Sequence, residues 1–153
     1  MIALRISFLV FTLVAVSGCA NRLPTFQFDK SRVVSASFDD AWARATGFFA
    51  NGNIPVELMD KASGMITASD ERVPVSAMSA IAACPDMALL INPRAGHMDY
   101  NVSVQPIDEA QTRVTVSMMF KMTYFDATSD YVTYDCNSKG EVERRLLDAI
   151  GAR

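Results

Sequence analysis

Three cysteines and a single histidine are the side chains of this 153-residue chain with the most specific chemistry, and their spacing narrows what that chemistry is. Cys19, Cys84 and Cys136 stand far apart, with no Cys-x-x-Cys pair and no cysteine–histidine cluster, so zinc binding is not indicated. His97 would have to serve any serine or cysteine nucleophile, yet no serine lies in the glycine-flanked turn that such nucleophiles use. The adjacent acids Asp39-Asp40, Asp70-Glu71 and Asp108-Glu109 have the type for acid–base work, but their surroundings read as one helix start and two turns. Asp126, Asp130 and Asp135 lack the glycine and ligand spacing of a calcium loop. Met118, Met119 and Met122 carry thioethers that suit Cu(I). On a strand, however, Met118 and Met122 share one face and Met119 takes the other, which is the pattern of core filling. No catalytic residue, metal or cofactor is expected.

The N-terminus has a chemistry of its own. Arg5 precedes a mostly apolar run over residues 6–16, and no acid occurs before Asp29. Such a run rises about 16 Å as a helix, half of a hydrocarbon core about 30 Å thick, so it is too short to span. A cation, a short apolar stretch and the small residues Ser17 and Gly18 make an export signal. A plain cleaved signal and a short buried helix are the alternatives. Val16-Ser17-Gly18-Cys19 resembles the lipobox of bacterial lipoproteins, placed directly behind the apolar stretch as in that family. The resemblance implies a diacylglyceryl group on the Cys19 thiol, cleavage before Cys19 and acylation of the new amine. Residues 1–18 are then a signal peptide, 19–24 a lipidated tether and 25–153 one periplasmic domain. Ala20, where an aspartate would favour inner-membrane retention, implies the outer membrane. One acyl chain holds a protein only marginally, whereas the three implied here make a durable anchor.

In that oxidising compartment the two remaining thiols, Cys84 and Cys136, are expected to form a disulfide, with two buried free thiols as the alternative. The bridge would be worth roughly 4 kcal/mol by loop closure.

The elements that must position these residues are legible to different degrees. Half of the chain is hydrophobic and 20% is charged, which is a globular composition of one-domain length. With 14 basic and 17 acidic residues it has no electrostatic footprint for nucleic acid. Residues 25–34 read as a first strand or a strand-like lead-in. Ser37 is a helix cap with Asp40 three residues on, and Phe38, Trp42, Ala45 and Phe49 mark the apolar face up to Asn51-Gly52. Ile54, Val56 and Leu58 alternate with polar neighbours as a half-buried edge strand, and residues 65–69 return as its hairpin partner. Residues 72–96 fit a short helix, an irregular loop held by Cys84 or an extra strand near Leu89. Period-two alternation from Met98 to Val104 and from Val114 to Tyr124 predicts a long hairpin pairing Val104 with Val114, Val102 with Val116 and Tyr100 with Met118. His97 falls on its opposite face, across from Lys121. Residues 131–134 make a short strand. Ser138 and Glu141 read as a capping box for a last helix with Val142, Leu146, Ala149 and Ile150 inward and Glu143, Arg144, Arg145 and Asp148 in water.

The expected class is α+β: a single antiparallel sheet of about five strands, one face packed by two helices, in the order β-α-β-β-β-β-α. This element order resembles the helix-grip or BamC-like periplasmic domains of outer-membrane lipoproteins. The segment Cys136-Asn137-Ser138-Lys139-Gly140-Glu141-Val142-Glu143 is similar to the end of many small lipoproteins. The functional expectation is a non-enzymatic envelope component with two partners: the bilayer through acylated Cys19, and a protein of the envelope. The alternative is a carrier or sensor of a small apolar ligand or lipid bound between the closing helix and the sheet.

Overall fold

The computed structural model describes residues 22–86, 92–125 and 130–152. Residues 1–18, read above as a signal peptide, and Cys19, Ala20, Leu89 and Asp126 therefore lie outside the described residues. The elements run β1 (Ser31–Val34), α1 (Phe38–Asn51), β2 (Val56–Asp60), β3 (Met65–Val73), α2 (Val75–Ile81), β4 (Ala82–Ala83), β5 (Asn92–Pro106), β6 (Thr112–Phe125), β7 (Tyr131–Ser138) and α3 (Glu141–Gly151). The class is α+β with one antiparallel sheet. Among the described residues that sheet has seven strands and the helices number three, against the expected five and two. Strand order is β2-β3-β5-β6-β7-β4, and β1 also pairs with β6, beside its first half.

The long hairpin β5–β6 is the spine. Val104 pairs with Val114, Val102 with Val116 and Tyr100 with Met118, the register that the alternation required. All four valines are fully buried. The helices cover this face. α1 begins at Ser37, whose Oγ accepts the Asp40 N–H at 3.2 Å, and buries Ala41, Trp42, Ala45 and Phe49. Phe49 meets Tyr100 edge-on at 5.5 Å. α3 packs against α1 and β6. Arg44 donates to the Ile150 carbonyl at 3.0 Å, so a cation of α1 satisfies the end of α3.

Within the described part of 72–96 the first of the open readings, a short helix, is found as α2. α2 follows Pro74, whose carbonyl accepts the Met78 N–H at 3.0 Å. Met78 is buried against Gly96, where a β-carbon would fall 2.2 Å from Met78 Cγ. Glycine at that point lets the helix settle on the sheet.

Several expectations are corrected. The first strand is only Ser31–Val34, not 25–34. β2 is an exposed edge rather than half-buried: a register shift between Val56 and Leu58 breaks the alternation, and Leu58 and Met59 are 52% and 47% exposed. Asp70 and Glu71 lie in β3 rather than a turn. Gly140, with φ of 79°, is the N-cap of α3, and Ser138 Oγ accepts the Gly140 N–H, so no Ser138–Glu141 capping box forms. Glu141 instead binds Arg144 and Arg145, which hold its carboxyl below the ordinary glutamate range, Arg145 contributing most. Glu143 does not face water. It is fully buried, because α3 turns Val142, Glu143, Leu146, Leu147 and Ile150 inward together.

Candidate functional site

Cys84 and Cys136 are joined by a disulfide across a sequence separation of 52. The bond fastens the short strand β4, paired to β7 through Ala82 with Ser138 and Ala83 with Asn137. Beside it lies a cleft of about 550 Å³, bounded by α2, the 82–86 segment, the start of β5 and the end of β6. Val75, Ala82, Pro85, Met122 and Tyr124 give it an apolar wall. Its polar groups are already engaged. Tyr124 donates its hydroxyl to the Pro85 carbonyl at 2.6 Å, and Lys139 Nζ donates to the Ser79 carbonyl at 2.6 Å. Burial, with Asp86 and Tyr134 adding, pushes the Tyr124 phenol above its ordinary range. The arrangement can receive an apolar group against that wall.

The space between α3 and the sheet is different. Leu146, Leu147, Ile150, Val114 and Val116 fill it, each at most 1% exposed. The cleft therefore lies at α2 and not under the closing helix.

A second feature is the approach of the N-terminal segment. Asn137 Nδ2 donates to the carbonyls of Pro24 at 3.0 Å and Leu23 at 3.4 Å. Phe28 lies on Gly140, and the Lys30 carbonyl accepts the Val116 N–H at 2.8 Å. Residues 23–30 are thus bound to β7, the head of α3 and β6 in turn. With Met118, Cys136 and Ser138 they line a shallow polar hollow. Nothing in the sequence marks Asn137 for this role, since its partners are backbone carbonyls more than a hundred residues away.

The other face of the sheet carries polar side chains. His97 pairs across from Lys121, as its parity required. Its Nε2 is 3.1 Å from Thr123 Oγ1, which is 2.9 Å from Thr133 Oγ1. Lys121 Nζ is 3.8 Å from Asp99. These are cross-strand contacts on an open sheet surface rather than a walled site. At the end of the same face Phe125 meets Tyr131 in a tilted pair at 5.3 Å, with the Arg94 guanidinium 5.2 Å over the Phe125 ring. Tyr131 is 66% exposed.

The candidate acids and thioethers stay apart. Asp39 and Asp40 sit in the first turn of α1, and Asp108 Oδ1 accepts the Ala110 N–H in the β5–β6 turn. Met118 and Met122 are buried while Met119 is 51% exposed on the opposite side. Among the described residues no three His, Cys, Asp or Glu side chains gather closely enough to hold a metal. The chain matches no protein-family model and no curated protein.

Proposed function

We propose that this chain is a lipid-anchored component of the bacterial outer membrane, held through acylated Cys19, whose periplasmic domain works by contact with another envelope protein rather than by catalysis. Exposed Tyr131 and Arg94, grouped around half-buried Phe125, carry the contact reading. Tyrosine and arginine are the types that dominate binding energy when a partner desolvates them, and here they stand together at one end of the sheet. The Cys84–Cys136 bridge supports an oxidising compartment. The leader and lipobox supply the anchor, and the element order supports the likeness to helix-grip lipoprotein domains.

The experiment has two parts. Intact mass of the protein from its native host should show cleavage before Cys19 and acyl chains on it. A photo-crosslinker at Tyr131 should give a discrete protein adduct in intact envelopes, absent when the crosslinker is moved to Asp108. Absence of the adduct from Tyr131 overturns the contact reading.

The cleft beside the disulfide favours a second reading, a small apolar ligand. Native mass spectrometry of the protein from cells tests it, with a co-purifying lipid lost in Met122→Trp.

A further inference from the structure

We propose that the end of the domain where residues 22–30 meet β7 is seated on the bilayer, with Phe26 at the headgroup boundary. The inference rests on the acylated Cys19 of the reading above and adds an orientation to it.

The argument is one of length. The chain is tied to the fold from Leu23 onward, first by Asn137, then at Phe28 on Gly140 and at Lys30 on Val116. Between Cys19 and Leu23 there are four Cα steps, which span about 14 Å fully extended. A domain of this size has a radius of gyration of about 14 Å, hence a diameter of roughly 36 Å as a sphere. The free chain is shorter than the radius of the body it holds. The acyl chains are buried at one end of that chain, so the attachment point at Leu23 and Asn137 must lie close to the headgroups. The domain cannot turn its far side to the membrane.

The residues at this end suit such a place. Phe26 is 38% exposed, an apolar ring beside the attachment point. Arg22 and Lys30 are exposed cations on the same segment, and Asp29 offsets one of them. Electrostatic attraction is therefore a minor contributor, and tether length sets the orientation.

The seat has a consequence for the rest of the surface. β2 lies at the opposite edge of the sheet, four strand spacings or about 19 Å from β7. Tyr131 stands six residues along β7 from Asn137, about 20 Å away. Both the exposed edge and the aromatic group thus lie about 20 Å from the attachment point.

Depth measurement on the full acylated protein tests the proposal. Cys84 and Cys136 are bridged and Cys19 is blocked by lipid, so an introduced thiol can be labelled alone. Variants Phe26→Cys, Arg22→Cys and Leu58→Cys would carry an environment-sensitive fluorophore. Each would be placed in vesicles of phosphatidylethanolamine and phosphatidylglycerol (3:1) containing headgroup-region nitroxide lipid. Quenching at positions 26 and 22 should exceed that at 58 by several-fold. Equal or reversed quenching, with acyl chains present by mass, overturns the seat and leaves the anchor intact. Protein with a bare Cys19 thiol by mass overturns the anchor reading, and the seat with it.

Discussion

Phe28 lies so close over Gly140 that a β-carbon on the glycine would fall 2.4 Å from Phe28 Cγ. Gly140 also has a φ of 79°, a region that costs other residues roughly 1–2 kcal/mol. The one position therefore serves two needs, starting α3 and admitting the ring of the N-terminal segment. Gly140→Ala should lower stability by about 2–4 kcal/mol, combining backbone strain with the clash. In a double-mutant cycle Phe28→Ala should recover the clash share and leave the backbone share. Strict additivity in urea denaturation would show that the two residues do not meet.

The disulfide gives a second expectation. Reduction, or Cys84→Ser with Cys136→Ser, should destabilise the domain by roughly 4 kcal/mol, the loop-closure value for its separation of 52. The denaturation midpoint of oxidised and reduced protein would measure this. Coincident curves would refute the bridge's role.

Glu143 is fully buried, and neither carboxylate oxygen has a hydrogen-bond partner among the described residues. Thr112, equally buried, donates its hydroxyl to the Ala36 carbonyl at 2.9 Å. The contrast isolates Glu143 as a cost. Glu143→Leu, of similar length and apolar, should raise stability by about 1–3 kcal/mol, whereas Glu143→Gln keeps an unsatisfied polar group and should gain less. A loss of stability in the leucine variant would mean that the carboxyl has a stabilising partner after all.

Alkaline titration should single out the buried tyrosines. Burial, reinforced by Asp70, pushes the Tyr100 phenol up to about 12, and Tyr124 is also raised. A phenol whose folded pKa exceeds its unfolded value near 10 stabilises the fold fully below pH 10. That contribution is lost as pH rises from 10 through about 12. Absorbance near 295 nm should therefore show a late ionisation step near pH 12, and Tyr100→Phe should remove it. Absence of a late step that depends on Tyr100 would contradict the packing of that ring beneath Phe49.

The central hairpin was legible in the sequence because two long runs with a period of two leave a single register that buries the alternating apolar residues on one face. Ser37 and the spacing from Phe38 to Phe49 marked α1 for the same kind of reason: a local pattern matched what tertiary packing later demanded. α2 was harder to read. Its seven residues carry no side-chain cap and little periodicity, and its place is set by Met78 meeting Gly96 across the chain. Glu143 was misplaced because charge argues for solvent, while its position on α3 is dictated by Leu146, Leu147 and Ile150 around it. β2 lost its alternation to the irregularity beside Leu58. Of the candidate site, the cysteine pair could be read from parity and compartment. The hold of Asn137 on the Leu23 and Pro24 carbonyls could not, since backbone acceptors leave no mark on residue type.

The sulfur link between β4's neighbour Cys84 and β7's Cys136 encloses the whole of β5 and β6 within one covalent ring. The turn between those strands, around Asp108, is exposed throughout. A protease that cuts there opens the ring but frees neither half, because both fragments remain joined through the sulfur link. Damage of this kind would leave a nicked but undivided molecule.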